Sequence, residues 1–193
     1  EVVDGTGAPK FKADVIVDKG KIIGVFCPDN EDIRDKSENH FLSNFKAKKV
    51  VNAEHKVVSP GFIDVHTHDD DNVFKDPSLF SKISQGVTTC IAGNCGISLA
   101  PFSFKGTVPA PIALLGKSDV FNYPRIKDYI DKFKSNPSTV NVALLTGHSM
   151  LRVEAMNGDF DRPANSEEIS KMINKLEVAI QDGSIGLSTG LAY

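Results

Sequence analysis

Cysteine is scarce in this 193-residue chain, with three residues, Cys27, Cys90 and Cys95. An odd count, with no leader-like segment after Glu1, argues against a disulfide framework and predicts a reducing compartment, the cytoplasm. Glu1 is not an initiator methionine, so an upstream targeting segment stays open. Long apolar runs are missing as well: none approaches the roughly 20 residues of a membrane-spanning helix. Neither charge dominates, since 22 Lys and Arg are interspersed with 25 Asp and Glu for a net charge of −3. That balance argues against a nucleic-acid partner, which calls for a basic footprint. Hydrophobic residues make up 40% of the chain, as in a soluble globular protein.

Two regions differ in pattern. Residues 1–58 alternate short β-like runs with turns: Ala13-Asp14-Val15-Ile16-Val17, the turn Asp18-Lys19-Gly20-Lys21, Ile22-Ile23-Gly24-Val25-Phe26, then Lys49-Val50-Val51 and Lys56-Val57-Val58. They predict a small β-subdomain, interrupted by a polar, exposed loop over residues 28–48. From Ser59 to Tyr193 strands alternate with helices, the pattern of a parallel α/β arrangement. Strands are expected near Ile63, Cys90, Ala143 and Leu187. A short helix is expected over residues 77–85. Apolar stripes at Ile126, Tyr129, Ile130 and Phe133, and at Ile169, Met172, Ile173, Leu176, Ala179 and Ile180, predict two amphipathic helices whose apolar faces pack. Asn165 and Glu168 form a capping box for the second, and Gly183 stops it.

The chemistry concentrates in Ser59-Pro60-Gly61-Phe62-Ile63-Asp64-Val65-His66-Thr67-His68. Alternation along a strand puts Asp64, His66 and His68 on one side and Ile63, Val65 and Thr67 on the other, so both imidazoles can grip one metal ion. A bare His-x-His is ordinarily a surface feature. Here a Ser-Pro-Gly turn leads in and Asp69-Asp70-Asp71 follows, which places the histidines at the C-terminal end of a strand, where α/β barrels keep their chemistry. Cys95 sits past a second strand end, between Asn94 and Gly96, where small residues let the backbone approach a ligand. A thiolate is a soft, charged zinc ligand. Cys90 reads as a buried strand residue and Cys27 as incidental. His148 follows the run Val140-Asn141-Val142-Ala143-Leu144-Leu145-Thr146 and is either supporting or participating. His40 and His55 lie in polar segments and carry no assigned chemistry. Asp69 and Asp70 are close enough to support the histidines, though exposed loop acids are the commoner outcome.

Those residues, with Lys82-Ile83-Ser84-Gln85-Gly86-Val87-Thr88-Thr89, Gly93-Asn94-Cys95-Gly96-Ile97-Ser98-Leu99-Ala100-Pro101, Gly147-His148-Ser149 and Ile185-Gly186-Leu187-Ser188-Thr189-Gly190-Leu191-Ala192-Tyr193, resemble the N-acyl-D-amino-acid deacylase (D-aminoacylase) family of metal-dependent amidohydrolases. The resemblance runs from Asp4-Gly5-Thr6-Gly7-Ala8-Pro9 to the last residue and leaves out only residues 27–49. It implies the N-terminal portion of a (β/α)8 TIM-barrel amidohydrolase over residues 59–193, preceded by a small β-sandwich subdomain over residues 1–58. It also implies Zn2+ as cofactor, with Cys95 the foremost ligand, in a tight site completed by two histidines from later strands, and with His66 and His68 as ligands of a weaker or unoccupied second position. His66, His148 and Tyr193 match positions at the substrate pocket; Ala192 departs from the bulkier aromatic residue often found there, which leaves side-chain preference open. The implied activity is hydrolysis of the amide of small-molecule N-acyl-D-amino acids to a carboxylate and a D-amino acid.

Four strand candidates are half of a (β/α)8 barrel. The general-base aspartate and the later histidines of the family have no counterpart before Tyr193, so no catalytic residue is expected within this chain. The expectation is an incomplete barrel that self-associates or meets a complementing chain. Two other classes stay open. A cyclic-amide hydrolase of the dihydropyrimidinase or dihydroorotase kind shares the Pro-Gly-Phe-Ile-Asp-Val-His-Thr-His signature, but the Gly-Asn-Cys-Gly segment argues against it. The other is a catalytically inactive zinc-binding or interaction protein.

Overall fold

Reversing a strand in two residues takes backbone with positive φ, and Lys19 (48°) and Gly20 (76°) supply it. The turn joins β1 (Asp14–Asp18) to β2 (Lys21–Phe26) as an antiparallel hairpin closed by the Asp18–Lys21 pair. The computed structural model describes residues 1–27, 46–104, 106–109, 112–159 and 161–191. It divides into two units, residues 1–60 and 61–193. In the first unit, Val2 is buried and bridges Phe11 and Val58. The runs at Lys49-Val50-Val51 and Lys56-Val57-Val58 form no strands, contrary to the sequence pattern. Only Val58 finds a partner, while Val50, Val51 and Val57 are exposed. The expected polar loop over residues 28–48 lies largely outside the described residues.

The second unit is built on parallel strands. After β3 (Phe62–Asp64) come two single-turn helices, α1 (Asn72–Lys75) and α2 (Phe80–Ile83), the latter all that forms of the helix expected over residues 77–85. Then follow β4 (Val87–Ala92), the two-residue strands β5 (Phe102–Ser103) and β6 (Asn122–Tyr123), and α3 (Ile126–Ser135). Last come β7 (Asn141–Leu144), β8 (Thr146–Gly147), α4 (His148–Ala155), α5 (Ser166–Asp182) and β9 (Leu187–Ser188). β3, β4 and β7 pair in parallel in that order, and β8 pairs in parallel with β9. The Leu145 amide donates to Ala92 O at 2.9 Å and the Ile185 amide to Leu144 O at 2.8 Å, so the four strand regions legible in the sequence lie side by side in chain order. Cys90, Ala92 and Leu144 from the sheet, with Ile126 and Tyr129 of α3, are buried in one core. The result is an α/β fold whose strand C-terminal ends carry the chemistry-bearing loops.

The two stripes behave differently. In α3, Ile126 and Tyr129 are buried and Ile130 and Phe133 pack against the core. In α5 only Ala179 of the stripe is fully buried; Ile169, Ile173 and Ile180 are exposed among the described residues, so the expectation that the whole face packs does not hold. Met172, Ile173 and Leu176, with Leu151 of α4, line a cleft of about 420 Å³. Periodicity identifies a helix and its apolar face, but says nothing of what covers that face.

Local signals at the ends of α5 are met in full. Asn165 accepts from the Glu168 amide at 2.9 Å while Glu168 accepts from the Asn165 amide at 2.8 Å, and Gly183 closes the helix at φ 115°. The Arg162 guanidinium grips the same carboxylate at 2.7 and 2.9 Å. Together with the Asn165 amide it lowers the Glu168 pKa from the ordinary 4.5 to about 2. A carboxyl that is more acidic in the folded state adds stability above pH 4.5, and this is lost as the pH falls toward 2. Thermal melts should show the native protein losing its advantage over Glu168→Gln across that window. An advantage unchanged at pH 2 would mean the pair contributes nothing.

Candidate metal centre

The strand pattern predicts extended β-structure through His68, but β3 ends at Asp64. Alternation survives beyond that end because the Thr67 amide donates to Ile91 O of β4 at 3.2 Å. Thr67 is buried, whereas His66 and His68 point the other way, exposed, with ring centroids 5.9 Å apart. Cys95 lies just past β4 in a turn that reverses the chain: Gly93 (φ 79°), Cys95 (57°) and Gly96 (77°) all take left-handed backbone. The turn brings Cys95 Sγ to 3.1 Å from His66 Nε2.

One ligand atom from each of His66, His68 and Cys95 falls within 4.8 Å of the other two. Ligand atoms around a tetrahedral zinc stand about 3.5 Å apart, so a shift of about 1 Å brings all three onto one ion. Two imidazoles and a thiolate suit zinc better than a hard cation such as calcium or magnesium. The donor set therefore fits the metal that the residue types suggest.

Neighbouring acids hold the histidine segment rather than join the donors. Lys82 of α2 bonds Asp64 at 2.6 Å and Asp69 at 3.0 Å, pinning the segment at both ends. The Lys82 ammonium, with the His66 amide, holds the Asp64 carboxyl below its usual range. Asp70 is fully buried, which corrects its reading as an exposed loop acid. Burial pushes its pKa up to about 6 against the pull of the Gly93 and Leu99 amides, and Tyr129 Oη donates to its backbone carbonyl at 2.6 Å. Asn94 is buried and donates from its side chain to Thr67 O and Ile91 O, lashing the cysteine turn to the histidine segment. Neither cross-brace is visible in local sequence. The signal for Asn94 is an amide side chain in a run of small residues beside a strand end.

The remaining candidates separate cleanly. Cys90 is a buried residue of β4 and Cys27 is a half-buried free thiol. His148 opens α4, half-buried at the rim of the α4–α5 cleft, and burial, with the Arg152 charge, lowers its pKa. It is not one of the three converging donors. His55 is exposed beside Glu54. His40, Ala192 and Tyr193 lie outside the described residues, and so does any contact of Tyr193 with a substrate.

Parallel strands carrying a His-x-His segment and a cysteine at adjacent C-terminal ends belong to the class of metal-dependent α/β hydrolases. The profile of the Amidohydrolase family matches residues 49–189, and the chain belongs to that family. It is 39% identical over its whole length to a D-aminoacylase of Alcaligenes xylosoxydans xylosoxydans. A crystal structure of D-aminoacylase superposes over the entire chain with a TM-score of 0.86 at 42% identity. An N-acyl-D-glutamate deacylase from Bordetella bronchiseptica, complexed with zinc and a phosphonate inhibitor, does so with 0.85 at 37%. The chain spans 36% of the length of the first relative and 37% of each of the two solved chains.

Proposed function

We propose that this chain forms the N-terminal part of a zinc-dependent amidohydrolase that hydrolyses N-acyl-D-amino acids, acting on a carbon–nitrogen bond other than a peptide bond. The observation that carries the reading is the convergence of His66, His68 and Cys95 within 4.8 Å. The kinship with D-aminoacylase and N-acyl-D-glutamate deacylase supplies the substrate class. In this reading residues 1–58 are a small β-sandwich subdomain and residues 59–193 the first half of a (β/α)8 barrel, consistent with parallel strands in chain order. Strands beyond this sequence complete the barrel, from further residues, a complementing chain or a second copy.

His66, His68 and Cys95 would hold the zinc, which supplies Lewis acidity to polarise the acyl carbonyl and acidify a water. The 3.1 Å contact of Cys95 Sγ with His66 Nε2 sets the sulfur beside the histidine pair, so that thiolate and imidazoles can face one ion. Asp64 and Asp69 are engaged by the Lys82 ammonium and are not among the converging donors. The family resemblance implies an aspartate after Tyr193 for the proton transfer to the leaving amine.

Native mass spectrometry in zinc, followed by assays before and after chelation, tests the reading. The expected result, once the barrel is completed, is zinc on each subunit, with release of carboxylate from an N-acetyl-D-amino acid and not its L-enantiomer. Activity should vanish on chelation and return with zinc. Opening of a cyclic amide without deacylation would move the protein to the dihydropyrimidinase-like class. Zinc binding with neither activity would leave a catalytically silent zinc protein.

A further inference from the structure

We propose that Ser188 is the positioning residue of the cysteine turn: its hydroxyl clamps the backbone on both sides of Cys95 and sets the thiolate for metal. The inference rests on the zinc reading above and extends it to a residue outside the three converging donors.

A non-glycine residue in left-handed backbone costs about 1 kcal/mol or more, so the Cys95 turn needs something to hold it. Ser188 Oγ donates to Gly93 O at 2.5 Å and accepts from the Gly96 amide at 3.0 Å. One hydroxyl thus spans the turn from Gly93 to Gly96 with Cys95 inside the bracket. Ser188 is buried, so water does not replace either bond if the hydroxyl is lost. Its reach follows from register: β9 pairs Ser188 with Gly147, and Gly147 lies so close to the turn that a Cβ there would sit 2.4 Å from Gly96 O. Leu187, its neighbour in the strand, faces the other way and is exposed.

Removing the hydroxyl leaves a buried N–H and C=O unpaired at either side of a strained residue. The turn relaxes, and Sγ drifts from the His66 side of the site. Ser184 provides a matched control, since its buried hydroxyl bonds Thr146 Oγ1 and Gly186 O without touching the cysteine turn.

Cobalt(II) titration of the purified protein reads the clamp directly through the thiolate-to-cobalt charge-transfer band. Ser188→Ala should bind cobalt about 10 to 100-fold more weakly, with a weaker band at saturation, as expected when a ligand loses its outer support. Ser188→Thr, which keeps the hydroxyl, should recover most of that loss. Ser184→Ala should lower the melting temperature while keeping cobalt affinity within about threefold. A folded Ser188→Ala with the native band and affinity would overturn the proposal. Hydrogen exchange on the unmodified protein gives an answer that needs no variant: the Gly96 amide should be protected, and exchange at the rate of an open loop would also sink the clamp. If the unmodified protein shows no thiolate-to-cobalt band at all, the zinc reading fails and the clamp falls with it. A normal band that Ser188→Ala leaves unaltered defeats the clamp alone.

Discussion

Cys95→Ala is expected to weaken zinc binding more than about 100-fold, beyond the range for loss of an outer-shell partner, and, in the completed enzyme proposed above, to abolish amide hydrolysis. Cys95 is the thiolate donor of the three that converge here, and without it this chain contributes only the two imidazoles of one segment from that set. Cys95→Gly should lose the metal equally while gaining stability. The left-handed φ of 57° penalises cysteine and alanine alike but not glycine, so the metal-free glycine variant should be more stable by about 1 kcal/mol. In a protein of this size that is a rise of about 2–4 °C in Tm. Equilibrium dialysis against zinc and melts in chelator measure the two effects separately. Zinc retained by Cys95→Ala would remove the thiolate from the site, and equal melting of the metal-free alanine and glycine variants would remove the strain.

The pairing of strain with function explains which parts of the site could be read from sequence. His66 and His68 are related by a two-residue period, and Cys95 follows a strand that announces itself by an apolar run, so all three are signalled by neighbours a few residues away. The same holds for the Asn165–Glu168 box and for Gly183. Ser188, Asn94 and Asp70 work through partners 95, 27 and 29 residues distant, and no local pattern encodes such a pairing. Asp70 shows the limit plainly: three successive aspartates look like solvated loop, yet the middle one is enclosed between the Leu99 amide and α3. Strand identity fails for a related reason. Val50, Val51 and Val57 have the side chains of a strand, but a strand also needs a partner, and only Val58 has one. β3 stops at Asp64 although its alternation continues, because pairing with β4 is reduced beyond that point to the single Thr67 bond.

Gly93→Ala should be among the most damaging single-methyl changes in the fold. Two costs combine at this position. The φ of 79° penalises any L side chain by about 1 kcal/mol. The added Cβ would also stand 2.1 Å from Leu145 O, a backbone atom that has no rotamer with which to move aside. Relief requires the β7–β8 segment to withdraw from β4, breaking the 2.9 Å bond from Leu145 N to Ala92 O, or the cysteine turn to open. Overpacking of this kind costs about 1–3 kcal/mol and more where backbone must shift, so the total approaches about 4 kcal/mol, a large share of a typical folding free energy of about 5–15 kcal/mol. Gly158 separates the two contributions, since it has φ 83° and a Cβ added there would meet nothing within 4 Å. Gly158→Ala should cost only the backbone penalty, about 1 kcal/mol. Denaturant titrations of the two variants should therefore differ by about 3 kcal/mol, and Gly93→Ala should also lose zinc because Cys95 moves with the turn. Equal destabilisation by the two substitutions would show that the turn and β7–β8 are not in the close contact on which both the cysteine geometry and the Ser188 clamp depend.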